Sequence, residues 1–331
     1  LVHGHGKKEL VDAIQKQSKT LCHSTLLGLA NVPSVILAKK LIEIVPKGLS
    51  KVFYSDNGST SVEIALKMAY QYWQQKGEKR RKRFIAFTNA YHGDTIGAVS
   101  VGGIDLFHQV YGPLLFKTFK APSPYCYRCP MKLRQETCGM ACVDAFEKVV
   151  KKHHEETCAV IIEPLVQGAA GMILQPPGWL NAIWKIAKEY GLLFIADEVA
   201  TGFGRTGNLF ACEEERISPD FMCVAKGITG GYLPLAATLS TEDVFNGFLG
   251  QFDEFKTFFH GHTYTGNPIA CAVAVESINL FKKEGLLQKL QQKTAILKNS
   301  LDRFKELTHV GEVRQKGFMV GIELVKSRKT K

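Results

Sequence analysis

No apolar run in this chain approaches the roughly 20 residues needed to cross a bilayer, and no basic, apolar and small-residue order marks a secretory signal. Internal repeats and low-complexity tracts are missing as well, so a repeat array is excluded. A cytoplasmic address with no membrane partner is the expectation. Nine cysteines in 331 residues are too few for a disulfide scaffold, and most, such as Cys158, Cys223 and Cys271, lie in apolar segments where a thiol simply packs. Acidic side chains are in deficit, 31 against 42 basic ones, which leaves a formal net charge of +11. The excess sits mainly in KGEKRRKR at 76 to 83 and KSRKTK at 326 to 331, which read as solvated charge runs. No aromatic side chains are interleaved with them for base stacking, so nucleic acid is not expected as a partner.

What is present is the composition of an ordinary globular protein, 45% apolar and 22% charged, in a chain long enough for one large domain and a smaller one. The start, LVHGHGKK, has no initiating Met and reads as a chain entered partway. Helical patterns over ELVDAIQKQSKTL and VPSVILAKKLIEIV fill the first 45 residues, an N-terminal segment expected to be truncated. Apolar strands KVFYS, RFIAFTN, TCAVIIEP, LLFIAD, FMCVAK and LAATLS then alternate with helices over DNGSTSVEIALKMAYQYWQQKG and GWLNAIWKIAKEYG. Thr60 and Glu63 are placed as the capping box of the first of these helices. In the second, Leu180, Ile183, Trp184 and Ala187 share one face. Strands alternating with helices predict an α/β fold with a mainly parallel sheet covered on both faces over residues 46 to 265. Two helices and two short strands in 266 to 331 read as a smaller α+β domain, expected to be incomplete.

Two of these strands end in chemistry. LLFIAD delivers a carboxylate, Asp197, and FMCVAK an amine, Lys226, and carboxyl ends of parallel strands are where ligand sites are built. Taken alone, a solvated acid and a surface amine are the plainer account. Together they match what pyridoxal phosphate requires: an amine to condense with the cofactor aldehyde and an acid to pair with its ring nitrogen. DNGST opens a helix with Gly58, Ser59 and Thr60, whose free N–H groups and hydroxyls would cradle a phosphate, although many helices start this way without binding anything. Tyr91, at a strand end in AYHGDT, could stack on a pyridine ring or simply cap the core. HGHTYTGNP at 260 to 268 is a glycine-interrupted loop or an ordinary turn. Arg314 could take a substrate carboxylate through a bidentate pair, or lie at the surface. Cys126, Cys129, Cys138 and Cys142 have the spacing of a small zinc or iron–sulfur knuckle, but reduced thiols in a loop insert are the preferred reading, and no metal is expected. His3 and His5 are read as structural.

The segments VFYSDNGSTSVEIALKMA, NAYHGDTIGAVSVGG, IIEPLVQGAAGM, FIADEVATGFGRTG, CVAKGITGG and FFHGHTYTGNPIACAVA, in this order, resemble the class III aminotransferases. The resemblance covers nearly the whole chain. It implies fold type I, with a seven-stranded sheet in the large domain, and pyridoxal 5'-phosphate as cofactor. It further implies that Lys226 condenses with the cofactor, Asp197 holds the pyridinium, Gly58, Ser59 and Thr60 bind phosphate, and Tyr91 stacks and contacts substrate. Gly261, His262 and Thr263 would approach from the second subunit of a homodimer whose active sites are shared, and Arg314 would anchor a substrate carboxylate. YHGDT, SVGGIDLFHQVYGPLLF and VRQKGFMVGIEL are similar to the branch that serves biotin synthesis. That branch moves an amino group from S-adenosylmethionine, or from lysine, to 8-amino-7-oxononanoate. The alternative within the family is an ω-aminotransferase of the 4-aminobutyrate, ornithine or diamine type.

Overall fold

The computed structural model describes residues 2–329. Leu1, Thr330 and Lys331, the last two ending the basic run KSRKTK, lie outside them. The strands in chain order are β1 (Leu49–Ser55), β2 (Arg83–Phe87), β3 (Phe119–Ala121), β4 (Thr157–Ile162), β5 (Val166–Gln167), β6 (Ile173–Leu174), β7 (Leu193–Asp197), β8 (Phe221–Val224), β9 (Ala236–Thr241), β10 (Val310–Lys316) and β11 (Met319–Leu324). Seven of them form one sheet in the order β1-β9-β8-β7-β4-β2-β3. Every pairing from β8 to β3 is parallel, whereas β9 runs antiparallel to both β1 and β8. The sheet is therefore mainly parallel, as the alternation of strands and helices predicts.

The middle strands are apolar throughout because both of their faces are covered. β4, β7 and β8 are buried at every residue. On one face, Ile85, Phe87, Val160 and Phe194 pack with Trp179, Leu180 and Ile183 of the helix Trp179–Glu189. On the other, Phe84, Ile161, Ile195 and Phe221 pack with Val62, Ala65 and Ala69 of the helix Gly58–Gln75. The helix Pro268–Lys283 sends Ala270, Cys271 and Ala274 into a third cluster with Met222 and Val224, and Leu286 and Leu290 of the following helix join it. Leu10 of the helix Lys8–Thr20 is sealed against Val273 and Leu280.

Several local expectations are corrected. β3 lies within residues 113 to 139, which the sequence reads as one long loop, because a three-residue strand gives too short a pattern to register. The capping box at residue 58 is closed by Asn57 and Thr60 instead of Thr60 and Glu63: the Asn57 side chain accepts from the Thr60 N–H, and the Thr60 hydroxyl accepts from the Asn57 N–H. Glu63 reaches across to the N–H groups of Gly97 and Ala98, starting the next helix. In Trp179–Glu189 the fully buried tryptophan is Trp179, while Trp184 is partly exposed and donates to the Ser218 carbonyl at 3.1 Å. His3 bonds Ser277 Oγ at 3.0 Å and packs against Phe281, a structural role.

Candidate active site

Asp197 ends β7, and Cys223 stands opposite it on β8. The Glu198 N–H closes onto the Cys223 carbonyl at 2.9 Å, fixing the two strand ends side by side. Lys226 follows three residues after Cys223, where the chain takes an uncommon left-handed conformation, φ +41°. Strained backbone of this kind survives only where its surroundings over-determine it. The next residue is closely packed: a Cβ on Gly227 would lie 2.7 Å from Phe203 Cβ. The Asp197 carboxylate is 5% exposed; Oδ1 accepts from the Val199 N–H at 3.1 Å, and Oδ2 lies 2.7 Å from Nδ1 of His92. Among the described residues the Lys226 amine makes no hydrogen bond or ion pair, so it is available to a ligand.

The second wall is the start of the helix Gly58–Gln75. Asn57 and Thr60 satisfy each other there, and Gly58 and Ser59, whose N–H groups belong to the open first turn at the positive end of the helix, line the cavity. Gly58 has no room for a side chain, since a Cβ would meet Val199 Cγ1 at 2.5 Å. Gly93, at φ +122°, lies so close that its Cβ would come 2.0 Å from Ser59 Oγ, and the same hydroxyl accepts from the Asp94 N–H at 3.1 Å. Side-chain-free backbone and uncommitted N–H donors fit a phosphate.

The third wall comes from β2 and β4. Tyr91 donates through its hydroxyl to Asp94 at 2.8 Å, and burial, helped by that acid, pushes the phenol up to about 12, so it stays a donor at neutral pH. Its ring meets Phe107 edge-on, 6.3 Å between centroids. Its N–H donates to Glu163 Oε1 at 2.9 Å, and the Gly168 N–H donates to Oε2 at 2.8 Å. Burial outweighs these two donors and pushes the Glu163 carboxyl up to about 8.

Together these elements enclose a cavity of about 970 Å³. Gly58, Ser59, Tyr91, Asp197 and Lys226 all line it, so five of the residues singled out in the sequence converge. Thr60 does not, because its hydroxyl is spent on the helix cap. Gly261, His262 and Thr263 also lie outside the lining, on a partly exposed loop where His262 Nε2 sits 3.4 Å from Asp56. Arg314 is only 6% exposed. Its guanidinium bonds Glu312 at 2.5 Å, Glu323 at 2.9 Å, the Tyr125 hydroxyl at 3.1 Å and the Gly171 carbonyl at 2.7 Å. Cys126, Cys129, Cys138 and Cys142 are free thiols around a separate cavity of about 320 Å³, and among the described residues no group of three or more His, Cys, Asp or Glu is arranged to hold a metal ion.

His92 and Glu163 line the cavity and were passed over by the sequence reading. His92 adjoins Tyr91 in AYHGDT. Glu163 follows β4 as Asp197 ends β7, so the signal that singled out LLFIAD, an apolar strand closing on an acid, is equally present in TCAVIIEP.

A mainly parallel α/β sheet whose strand ends bring a buried acid, an unpaired lysine and an open helix N-terminus into one cavity defines the architecture of a pyridoxal-phosphate type of site. The chain matches the family model described as Aminotransferase class-III over residues 1–331, and it belongs to that family. It is 55% identical over 332 residues to the adenosylmethionine-8-amino-7-oxononanoate aminotransferase of Nitratidesulfovibrio vulgaris, covering 100% of this chain and 61% of that protein. Among solved structures, the adenosylmethionine-8-amino-7-oxononanoate aminotransferase from Methanocaldococcus jannaschii superposes with a TM-score of 0.94 at 50% identity, over 99% of this chain and 73% of that one. An amine transaminase from an uncultivated Pseudomonas species, solved in its PLP-bound form, gives a TM-score of 0.93 at 34% identity over 99% of this chain and 74% of that one. The chain thus spans about three fifths of the first relative's length.

Proposed function

We propose that the chain is the catalytic part of an aminotransferase. It uses pyridoxal 5'-phosphate to move an amino group from S-adenosylmethionine, or from lysine, to 8-amino-7-oxononanoate, giving 7,8-diaminononanoate for biotin synthesis. The observation that carries this reading is the convergence of Lys226, Asp197 and the Gly58–Ser59 N–H groups on one cavity. The likeness to the two adenosylmethionine-8-amino-7-oxononanoate aminotransferases supports the substrate pair.

When bound, the cofactor supplies an electron sink for the carbanion formed at the substrate carbon. Everything else falls to the protein. The Gly58 and Ser59 N–H groups would hold the phosphate, and Tyr91 would contact the ring. Asp197, oriented by His92 and the Val199 N–H, would face the ring nitrogen and favour a proton on it. The Lys226 amine, unpaired in the cavity, would hold and move the proton of the reacting substrate carbon as general base and then acid. Val199 and Phe203 supply apolar wall to the cavity. Arg314 retains the proposed role of meeting a substrate carboxylate only if a substrate displaces one of its present acidic partners. Thr60 is proposed as a phosphate ligand on the same terms.

A homodimer with shared active sites, in which Gly261, His262 and Thr263 serve the partner's cavity, is supported by the apolar surface beside that loop. In the single chain Phe252 is 94% exposed, Phe259 73% and Tyr264 59%. A cytoplasmic address and the division into 1–45, 46–265 and 266–331 are part of the same proposal; among the described residues no helix is long and apolar enough to cross a membrane. A second reading, an ω-aminotransferase of the 4-aminobutyrate, ornithine or diamine type, is favoured by the likeness to the amine transaminase.

The deciding experiment is a donor and acceptor screen on the cofactor-loaded protein, with Lys226→Ala as control. Borohydride should fix the cofactor to the peptide containing Lys226, as read by mass spectrometry, and the Ala variant should lose both the label and turnover. Labelling at another lysine overturns the site, and preference for 4-aminobutyrate or ornithine over 8-amino-7-oxononanoate overturns the substrate.

A further inference from the structure

Glu163 stands just past the end of β4, 5% exposed, and lines the same cavity as Asp197 and Lys226. Its two oxygens each accept one main-chain N–H, from Tyr91 and from Gly168. An ionised carboxyl offers about four acceptor positions, so about two remain unfilled. No ion pair reaches it among the described residues. Buried acids are ordinarily matched by a cation in contact, because a desolvated charge without one is strongly unfavourable. No cation of the chain meets that need: Lys226 lines the same cavity without an ion pair to Glu163, and while the cavity is empty burial keeps the carboxyl protonated near neutral pH, so that an arriving ammonium group is what lets it ionise.

Asp197 cannot fill the same role. Its oxygens are taken by His92 and Val199, and its remaining capacity faces the ring nitrogen under the function proposed above. That leaves Glu163 as the lining acid open to substrate. Its surroundings are rigid enough to select. Gln175 holds the Glu163 carbonyl at 2.7 Å and the Leu165 N–H at 2.8 Å, so the turn that presents the carboxyl is tied on both sides.

We propose that Glu163 is a specificity-determining residue that receives an ammonium group of the substrate. The cavity would then favour acceptors carrying an amine beside the reacting carbonyl over keto acids of the same length without one. This rests on the proposed function, since 8-amino-7-oxononanoate bears its amine on the carbon next to its ketone.

The test is calorimetric binding of 8-amino-7-oxononanoate and of 7-oxononanoate to the cofactor-loaded chain, in the wild type, Glu163→Gln and Glu163→Asp. A charge-assisted hydrogen bond corresponds to roughly 10-fold to 100-fold in affinity, so the wild type should favour the amine compound by at least ~10-fold. Glu163→Gln should bring the ratio close to one, and Glu163→Asp should keep part of it. Because each ratio is taken within one preparation, a partly folded variant still reports. Equal binding of both compounds by the wild type, or an unchanged ratio in Glu163→Gln, overturns the proposal. Turnover separates the two readings: wild-type turnover of 8-amino-7-oxononanoate with a Glu163-independent ratio removes only this inference, whereas a Glu163-dependent ratio without turnover on any acceptor removes only the proposed function.

Discussion

The imidazole of His92 meets the carboxylate of Asp197 at 2.7 Å, Nδ1 to Oδ2, with the histidine side chain wholly sealed from solvent. A carboxylate only accepts, so Nδ1 carries the proton, and Nε2 faces no partner among the described residues. His92 thereby fixes the orientation of Asp197, the acid proposed to face the ring nitrogen. Replacing it with Phe leaves the buried Asp197 carboxyl short of a donor, a loss of about 1–3 kcal/mol. The His92→Phe variant should melt several degrees lower and bind pyridoxal phosphate at least ~10-fold more weakly by absorbance titration. His92→Gln, which can still donate, should recover part of both. Wild-type cofactor affinity in the Phe variant would remove His92 from this role.

Gly93 supports the opposite wall. A methyl group at this position would lie 2.0 Å from Ser59 Oγ and 2.9 Å from Ser59 Cα, and the residue sits at φ +122°. The first conflict would push Ser59 away from the position proposed for the phosphate, and the positive φ adds strain of about 1–3 kcal/mol. Gly93→Ala should therefore weaken pyridoxal phosphate binding more than tenfold while free phosphate ceases to compete with it. Gly77→Ala, with a positive φ but open space around it, is the control: strain alone should lower its melting temperature and leave cofactor affinity unchanged.

Much of this was legible beforehand because burial on both faces writes itself as continuous apolar runs. β4, β7 and β8 announce themselves in that way, and the acid and the amine at two of their ends stand out as the first polar residues after them. What escaped the sequence has equally physical reasons. β3 is three residues long, too short for any periodicity. The antiparallel course of β9 leaves no trace in its composition, because a strand inside a covered sheet is apolar whichever way it runs. Thr60 and Glu63 have capping-box spacing, but Asn57 stands three residues before Thr60 and takes the cap one turn earlier, freeing Glu63 to start the helix at Ile96. Arg314 illustrates the limit for long-range pairing: Glu312 is visible two residues away, but Tyr125 and Gly171 reach it only through the fold.

The setting of Arg314 yields its own expectation. Held by Glu312 and Glu323 and only 6% exposed, its guanidinium is a fastener between the β10–β11 hairpin and the loop at Gly171. Arg314→Met should lower stability by about 3–5 kcal/mol, as removal of one partner from a buried charge cluster does. The measurement is chemical denaturation alongside KM for the acceptor. A raised KM with unaltered stability would show instead that the side chain leaves its acids to meet a substrate carboxylate.

Glu163 also ties stability to pH. Burial raises its carboxyl from the ordinary 4.5 to about 8 in the folded protein. Between those values the unfolded chain binds fewer protons at this residue than the folded one, so the slope of unfolding free energy against pH is negative for this group. Its contribution is fully present below pH 4.5, declines as pH rises toward 8, and is flat above that. Other groups titrate in the same window, so the quantity to follow is a difference. For the cofactor-free protein, the melting temperature of the wild type minus that of Glu163→Gln should shrink steadily from pH 5 to pH 8 and then level off. A difference that is constant across this range, or that grows with pH, would mean that the Glu163 carboxyl is already ionised in the folded chain and has found a cationic partner there.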